Sequence, residues 1–483
     1  MQSCKALDLL LYNCGTMSEH QAPTTDRDEQ AAPRIEDSAS AVLQTARGIA
    51  VKLLSRYENS DSYIDKLLDG ELRRSELELA DRALVTELVN GTVRWQSRID
   101  WVLTGFYHGE FAKCLPLVKN ALRIALYQMM FLSKIPAPAA INESVEIVKR
   151  VKGDRHAGIV NGVLRNILRN VQSIRYPDRR ENEVLYLSVH TAHPQWLVKR
   201  YVERFGPEQT EALLTANNNR PMITLRVNTL KTTVEAVVEQ LTALEIKHEV
   251  SPLHPNSIMM TALRDIRGLQ LFQDGHVTVQ DSSASMAIIL ADPKPGMTVI
   301  DLCAAPGGKA VHAAELMKNQ GSVVALEKHE SKLRFIEENA TRSGTSIVTA
   351  QQGDAREYTS TTEADIVLVD APCTGMGTLS KKPDIKWRRQ IDDIRKMTIT
   401  QKAILDHAAT LVKRGGHILY STCTIEPEEN IDIVRWFLEQ HPNFHLEPAE
   451  NFLPADVCQD GCMQTLPHVH RSDGAFAARL VRR

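Results

Sequence analysis

The sequence predicts a multidomain protein with an all-α N-terminal domain, a small α+β connector and a C-terminal α/β domain. Three observations support this prediction. The chain has 483 residues, several times the ~100–200 residues usual for one domain. Apolar residues recur at helical spacing through its first third. From Val277 onward, short apolar runs alternate with helical segments, a pattern typical of a mainly parallel sheet covered by helices on both faces.

Composition excludes several classes of protein. Hydrophobic residues at 43% and charged residues at 24% are ordinary for a globular protein and exclude a wholly disordered, collagen-like or disulfide-scaffold chain. No apolar run approaches the ~20 residues of a membrane span. The eight cysteines are scattered along the chain without a secretion signal and are expected to be reduced thiols. We therefore expect a cytoplasmic monomer that makes no contact with a membrane.

The first predicted segment, residues 1–38, is polar and aperiodic and is expected to be a disordered head. Residues 39–175 predict the all-α domain, with roughly five to eight helices. The net charge of the whole chain is -3, but this helical segment carries 20 basic against 14 acidic side chains. Its late basic residues are Lys149, Arg150, Lys152, Arg155, Arg165 and Arg169. Nucleic acid therefore remains a possible partner.

Residues 176–275 mix a helix predicted from Trp196 to Arg204 with a strand predicted from Ile223 to Val227, which indicates a connector or small α+β subdomain. Residues 276–483 form the predicted α/β domain. In it, Cys458 and Cys462 with His468 and His470 lack the spacing of a zinc finger and lie in a loop-like stretch, so no metal site is expected.

The C-terminal domain places candidate ligand-binding groups after its strands. The strand predicted from Thr298 to Cys303 leads into Ala304–Lys309 and a helix beginning near Ala310, and such a glycine-containing turn brings backbone amides close to a ligand. The next strands end at Glu327, near Asp354 and at Asp370, the edge where ligands bind in such sheets. Because the turn reads APGGK and not G-x-G-x-x-G, it favours S-adenosylmethionine over NAD.

Two cysteines follow the last two strands of this series. The fourth strand (Ile366–Val369) leads to Cys373, and the fifth (His417–Tyr420) leads to Cys423. These strands should be neighbours, so both thiols are expected at one mouth of the sheet. A free cysteine usually behaves as a small buried hydrophobe, so two cysteines at strand ends indicate thiol chemistry. The acids that follow, Glu426, Glu428 and Glu429, are expected to begin a helix.

Four motifs together resemble those of RNA cytosine-C5 methyltransferases. They are LRVN (Leu225–Asn228), DLCAAPGGK (Asp301–Lys309), DAPCTGMGT (Asp370–Thr378) and YSTCTIEPEEN (Tyr420–Asn430). The helical domain, with NGVLRN at Asn161–Asn166, resembles the NusB-like domain that precedes this core in the bacterial Sun/Fmu type, which methylates a cytosine of 16S ribosomal RNA. The resemblance spans about residues 40–483 and implies a Rossmann-like class I S-adenosylmethionine-dependent methyltransferase domain.

The resemblance also implies roles for individual residues. Cys423 would be the nucleophile that adds to carbon 6 of the cytosine, Cys373 would assist its release, and Asp370 would lie between donor and base. S-adenosylmethionine would be bound by Cys303, Ala304, Ala305, Pro306, Gly307, Gly308, Lys309, Glu327 at the ribose, Asp354 at the adenine, and Asp370. Two positions depart from the family pattern: Glu327 replaces the usual aspartate, and DGAF (Asp473–Phe476) lacks a common second aromatic residue.

Cations around an aromatic residue follow the Cys373 motif, a combination that suits phosphate contacts and base stacking. The predicted RNA contacts here are Lys381, Lys382, Lys386, Trp387 and Arg388. The resemblance adds Arg226 and Asn228. We expect 16S ribosomal RNA as the partner, naked or in a partly assembled small subunit.

Alternatives remain open at this point. Transfer RNA would support the same chemistry. Cys373 and Cys423 could exchange roles, because DNA cytosine methyltransferases place their nucleophile in a Pro-Cys motif like Pro372-Cys373. A non-catalytic RNA-binding assembly factor is a further alternative, disfavoured by the intact acids and cysteines. An NAD-dependent oxidoreductase is disfavoured by the absent G-x-G-x-x-G.

Overall fold

A computed structural model describes residues 40–260 and 266–483, so the predicted head at residues 1–38 lies outside the described residues. The chain divides into two compact units, Met1–Gln195 and Trp196–Arg483. Within the described ranges, no helix combines the length and apolar character that a membrane crossing needs.

The first unit is helical, as predicted. Between residues 46 and 169, all of them described, the structure has seven α-helices: α1 (Ala46–Glu58), α2 (Ile64–Arg74), α3 (Leu79–Arg94), α4 (Gln96–Phe106), α5 (Pro116–Phe131), α6 (Ala137–Lys152) and α7 (Asp154–Arg169). The unit also contains the helix α8 (Glu183–His190) and single 3-10 turns at Phe111–Lys113 and Val171–Ser173.

Local sequence explains where these helices start and pack. The Thr45 side chain caps α1 by accepting a hydrogen bond from the Gly48 amide at 3.1 Å. Gly153 ends α6 with a φ of 82°, in the region that favours glycine, and α7 begins at the next residue. Leu53, one of the apolar residues that recur at helical spacing in this part of the sequence, is 1% exposed, in the core of the unit. Helical spacing therefore identified a buried face.

Helix α9 (Gln195–Phe205) starts at the last residue of the first unit. The second unit continues with α10 (Pro207–Asn218) and a small sheet. Within the described residues its strands lie in the order β2 (His248–Val250), β3 (Ser257–Met260), β1 (Ile223–Val227) and β4 (Val277–Val279), all antiparallel. Helices α11 (Val234–Ala243) and α12 (Gln270–Gln273) connect them. The helix predicted from Trp196 and the strand predicted from Ile223 are confirmed.

The remaining elements form the α/β part of this unit. Its strands are β5 (Thr298–Asp301), β6 (Ser322–Glu327), β7 (Val348–Gln352), β8 (Ala364–Asp370), β9 (Val412–Thr422), β10 (Phe444–Glu447), β11 (Cys458–Gln459), β12 (Cys462–Thr465) and β13 (Ala475–Arg482). Its helices are α13 (Ser282–Ala291), α14 (Gly308–Leu316), α15 (Glu330–Ser343), α16 (Ile385–Arg388), α17 (Ile391–Leu411), α18 (Ile431–Gln440) and α19 (Pro467–His470), with 3-10 turns at Pro427–Glu429, Ala449–Asn451 and Ala455–Val457.

These strands make one mixed sheet of the order β11-β12-β13-β9-β8-β5-β6-β7 in the described part of the chain, and β10 also pairs with β13. Strands β5 to β9 are parallel, as predicted. Strands β10 to β13 are antiparallel and were not predicted. The segment around Cys458 and Cys462, expected to be loop-like, is instead the β11–β12 hairpin, because the two strands pair in register.

The sheet is buried on both faces. Alternate residues of β8 contribute to two cores: Val367 and Val369 pack on one side, and Ile366 and Leu368 on the other. A parallel strand covered on both faces reads as a continuous apolar run, which explains why β8 was recognisable in the sequence. Because β5, β6, β8 and β9 run parallel to one another, their carboxyl ends meet at one edge of the sheet.

Candidate active site

The two cysteines predicted to meet do so at this edge. Strands β8 and β9 are parallel neighbours with Asp370 opposite Ser421, so the residues that follow each strand emerge together. The Sγ atoms of Cys373 and Cys423 lie 3.3 Å apart, within hydrogen-bonding distance. Cys423 is exposed and Cys373 is partly exposed. The site thus presents one accessible thiol with a second behind it.

The environments of the two thiols differ. The hydrogen bond with Cys373 lowers the pKa of Cys423. Desolvation by the surrounding protein and the negative charge of Asp370 oppose this change, and the charges of Lys382 and Lys309 add to it. The same hydrogen bond, together with burial, raises the pKa of Cys373 well above its ordinary value. Cys423 is therefore the sulfur better suited to carry the negative charge, and Cys373 the one that keeps its proton.

A cavity of about 470 Å³ reaches Pro372, the residue before Cys373. It is lined by Cys303, by Ala305 of the APGGK turn, and by Glu327, Asp354 and Asp370 at the ends of the neighbouring strands. The structure thus brings together these five of the predicted donor-binding residues. Glu327 accepts a hydrogen bond from the His329 amide at 2.9 Å. Both carboxylate oxygens of Asp354 accept hydrogen bonds from Arg356, at 2.9 and 2.6 Å, which hold the pKa of Asp354 well below its usual range.

The APGGK turn approaches α15 closely. Gly307 has a φ of 101° and directly precedes α14, which begins at Gly308 and not near Ala310 as predicted. A Cβ at Gly307 would lie 3.1 Å from the Ile336 Cα. Glycine is therefore required here by both backbone conformation and space.

One buried carboxylate beside this turn has an oxygen atom without a hydrogen-bond partner. Among the described residues, Asp301 Oδ2 has no hydrogen-bond partner, and Oδ1 accepts only from the Cys303 amide at 3.2 Å. Burial, with a contribution from the Asp370 charge, raises the pKa of Asp301 to about 7. Such a carboxylate would be stabilised by a ligand that carries a positive charge.

Lys309, predicted to bind the methyl donor, extends from the APGGK turn to Asp370. Its ammonium group forms an ion pair with Asp370, and Asp370 also accepts a hydrogen bond from Ser421 Oγ at 3.2 Å. The lysine side chain is 14% exposed. The APGGK turn therefore supplies a cation to the edge where the cysteines meet.

The structure separates the predicted RNA contacts into two groups. Arg226, Asn228 and Lys386 are at most 1% exposed. Arg226 forms an ion pair with Glu315 and donates to Gln280 Oε1 at 2.5 Å. Asn228 donates to the carbonyls of Gly275 and Ser343 at 2.9 and 2.8 Å, and Lys386 donates to Asn218 at 3.2 Å. Contrary to expectation, these three side chains are not accessible to RNA.

The other predicted RNA contacts retain exposed surface to different degrees. Lys381 is 25% exposed and forms ion pairs with Asp281 at 2.5 Å and Asp473 at 2.8 Å, so its charge is balanced within the protein. Trp387 and Arg388 are partly exposed, and Lys382 is exposed. Lys382 is the cation of this segment that the structure leaves most available to a polyanion.

Sequence reasoning missed the polar residues beneath the cysteines. Glu426 and Glu429, expected to begin a helix, are 0% exposed, and Glu429 accepts hydrogen bonds from both the amide and the hydroxyl of Thr374. A threonine follows each cysteine in the sequence, and this repeated Cys-Thr pair was the available signal. No cluster of three or more His, Cys, Asp or Glu residues able to hold a metal ion is found in residues 40–260 and 266–483.

Comparisons with known proteins agree with this architecture. The family described as 16S rRNA methyltransferase RsmB/F matches residues 287–481, the NusB family matches residues 44–169, and an RsmF/B-like ferredoxin-like domain matches residues 193–267. A probable ribosomal RNA small subunit methyltransferase B of Bacillus subtilis is 39% identical, over 90% of this chain and 98% of the relative.

Two further relatives span similar lengths. The ribosomal RNA small subunit methyltransferase B of Yersinia pseudotuberculosis is 32% identical over 90% of this chain and 98% of its own. The crystal structure of PH0851 has a TM-score of 0.77 at 30% identity and covers 91% of this chain and 99% of that one. The chain therefore belongs to the RsmB/F family of ribosomal RNA small subunit methyltransferases, as its motifs predicted.

Proposed function

We propose that this enzyme transfers a methyl group from S-adenosylmethionine to carbon 5 of a cytosine in 16S ribosomal RNA, through a covalent bond between Cys423 and carbon 6. The observation that carries the proposal is the 3.3 Å separation of the Cys373 and Cys423 sulfur atoms at an open edge of the sheet. Family membership and the names of the relatives support a ribosomal RNA substrate.

The residues around the 470 Å³ cavity fit S-adenosylmethionine. Asp301 precedes the cavity-lining Leu302, and its Oδ2 atom, which has no hydrogen-bond partner, suits a ligand with an ammonium group and a sulfonium. Glu327, which lines the cavity at the carboxyl end of β6, would accept hydrogen bonds from the ribose hydroxyls. Asp354 would bind on the adenine side, and Cys303–Lys309 on the methionine side. When bound, the donor supplies an electrophilic methyl group.

Cys423 would begin the reaction. Carbon 5 of cytosine is a poor nucleophile until a thiolate adds to carbon 6 and raises the electron density of the ring. The lowered pKa and exposure of Cys423 support it as that thiolate. The raised pKa of Cys373 supports it as the thiol that hydrogen-bonds the departing Cys423 sulfur when the bond to carbon 6 breaks.

Asp370 and Lys309 would stabilise charge on the ring. Thiolate addition places negative charge on the N3 edge of cytosine, where a proton shared between N3 and the Asp370 carboxyl group would stabilise it. The Lys309 ammonium, paired with Asp370, supplies positive charge at the same point. After methyl transfer, water at the open edge would take the proton from carbon 5. The electron pair of that C–H bond would form the C5=C6 double bond and expel the Cys423 thiolate, which restores the aromatic ring.

RNA would reach this edge with its target base unpaired, at a cost of a few kcal/mol that is least for a loop nucleotide. Lys382, exposed beside the thiols, would contact the phosphate backbone, with Trp387 and Arg388 next to it. On the helical unit, the exposed basic residues of α6 and α7, including Arg155 and Arg165, offer a second phosphate-binding surface.

The decisive experiment uses three cysteine variants with labelled methyl donor and 16S ribosomal RNA. Cys423→Ala should abolish transfer, and Cys373→Ala should accumulate a covalent RNA adduct on a denaturing gel. Cys458→Ala, on the β11–β12 hairpin, is the matched control. Undiminished transfer by Cys423→Ala would refute the proposal, and an adduct formed by Cys423→Ala but not by Cys373→Ala would exchange the two roles.

The RNA substrate is tested separately by bisulfite sequencing of total RNA from a strain that lacks the gene. Loss of one 5-methylcytosine from 16S ribosomal RNA is expected. Loss from transfer RNA alone would contradict the substrate while leaving the chemistry intact. Unchanged modification of both RNAs, with no transfer in vitro, would favour a non-catalytic binding factor.

A further inference from the structure

A buried polar cluster lies directly beneath the two thiols, and Glu429 is at its centre. The Glu429 side chain is 0% exposed. Its Oε1 accepts hydrogen bonds from the Thr374 amide at 2.8 Å and from Gln401 Nε2 at 3.0 Å. Its Oε2 accepts from the Thr374 hydroxyl, which is 3.1 Å from the Thr424 hydroxyl. One carboxylate is thus connected to the residue that follows each cysteine.

The neighbouring residue, Asn430, holds the second cysteine loop. Its Nδ2 donates to the Thr424 carbonyl at 2.9 Å, and its Oδ1 accepts from the Thr422 hydroxyl at 2.6 Å. These contacts lie on either side of Cys423. The loop of Cys373 is held instead by Glu429 through Thr374, and by Gln401, which also donates to the Pro372 carbonyl at 3.0 Å.

We propose that Glu429 and Asn430 are positioning residues that together set the separation of the two thiols, Glu429 by holding the Cys373 loop and Asn430 by holding the Cys423 loop. The two residues are adjacent in the chain, so the two loops are fixed to one short piece of backbone. That backbone is itself fixed, because the Tyr420 hydroxyl donates to the Glu429 carbonyl at 2.6 Å.

The cluster is buried, which makes its hydrogen bonds important. Burial raises the pKa of Glu429, while the hydrogen bonds from Thr374 and Gln401 oppose that rise. Removing the carboxylate would leave the buried Thr374 amide without this acceptor, a loss that costs more than an exposed hydrogen bond would. The Cys373 loop should then move relative to Cys423. Displacements of about 1 Å can change rates by about a hundredfold.

The first test needs neither RNA nor methyl donor. Diamide removes one hydrogen from each of two thiols and is reduced to a hydrazine as the S–S bond forms, so its rate of closing Cys373 and Cys423 reports how well they are held together. Glu429→Ala should close this disulfide about tenfold more slowly than the unsubstituted protein. Glu439→Ala, at an exposed position of α18, is the control. Peptide mass spectrometry identifies the bond.

The conservative variant Glu429→Gln distinguishes positioning from charge. A glutamine can accept from the Thr374 amide through Oε1 and donate to the Thr374 hydroxyl through Nε2, so the contacts to Thr374 survive without the charge. It should restore closure to within about threefold of the unsubstituted rate. Equal defects in Glu429→Gln and Glu429→Ala, or no defect in either, would overturn the proposal.

A second variant covers the case in which Glu429→Ala does not fold. Thr374→Val keeps the shape of the side chain and removes the hydroxyl that joins Glu429 to Thr424. Its thermal unfolding is measured beside the closure rate. Slower closure in a folded Thr374→Val protein supports the proposal, and an unchanged rate overturns it.

The consequence for turnover rests on the proposed function. With RNA and donor, Glu429→Ala should accumulate the covalent adduct, because Asn430 still positions Cys423 while Cys373 is displaced. Asn430→Ala should form less adduct. A merely structural defect would lower adduct formation equally in both variants, and that result counts against the proposal. If the unsubstituted protein forms no adduct and transfers no methyl group, the proposed function fails, while the diamide result still decides the positioning role.

Discussion

Arg226→Met tests the assignment of the LRVN arginine to the interior of the protein. Arg226 on β1 and Glu315 on α14 are 1% and 2% exposed and form an ion pair. Removing the guanidinium leaves a buried carboxylate without its cation, which typically costs about 3–5 kcal/mol. For a unit of this size, about 2 °C per kcal/mol converts that loss to a fall in melting temperature of roughly 6–10 °C.

The pH dependence sharpens this prediction. Burial raises the pKa of Glu315, and the charge of Arg226 opposes that rise. Without Arg226 the carboxyl group should hold its proton to a higher pH in the folded protein than in the unfolded chain. Stability is then lost as pH rises, so the difference in melting temperature from the unsubstituted protein should widen between pH 5 and pH 8. Arg226→Met with Glu315→Gln should recover part of the loss.

The assay is thermal unfolding by circular dichroism, combined with RNA binding measured well below the melting temperature. RNA affinity should be unchanged, since neither side chain reaches the surface. An unchanged melting temperature together with weaker RNA binding would refute the reasoning and return Arg226 to the RNA interface.

Three further predictions concern other charged groups. As pH rises from 5 to 7, the free energy of unfolding of Asp301→Asn should increase by roughly 2–3 kcal/mol relative to that of the unsubstituted protein. The reason is that the folded Asp301 carboxyl, with a pKa of about 7, must lose its proton in a buried site over this range. The same pH dependence of melting temperature in both proteins would contradict this. Lys381→Met should lower the melting temperature and methyl transfer together, since it leaves Asp281 and Asp473 facing each other unpaired; a loss of RNA affinity alone would contradict this. Lys382→Gln should weaken RNA binding and reduce its salt dependence by about one charge; an unchanged salt slope in filter binding would exclude a phosphate contact.

The parts of the fold that were predictable depend on local pattern. The parallel strands read as continuous apolar runs, and the meeting of Cys373 and Cys423 followed from the geometry of neighbouring parallel strands. Strand β13 was not predicted, since AFAARLVR has no turn signal or strict alternation that separates strand from helix.

Buried polar partners could not be predicted because they join distant parts of the chain. Arg226 and Glu315 are 89 residues apart, and Thr374 and Glu429 are 55 apart. In the sequence each looks like an exposed charged or polar side chain. Only the folded backbone shows that Arg226 points towards α14 and that Glu429 turns beneath the cysteines.

The position of β13 has a consequence for synthesis of the protein. It follows every other strand of the large sheet in the chain, yet it lies inside the sheet, paired with β9 from His417 to Thr422 and with β12 on its other side. Just before it, the Gly474 amide donates to the Gly377 carbonyl, in the loop that follows Cys373, at 2.8 Å. A nascent chain that has not yet released β13 from the ribosome therefore exposes an unpaired β9 edge and lacks the Gly474 contact to the loop that follows Cys373. The enzyme should become active only after synthesis has passed this strand, and chains interrupted before it should be targets for aggregation and proteolysis.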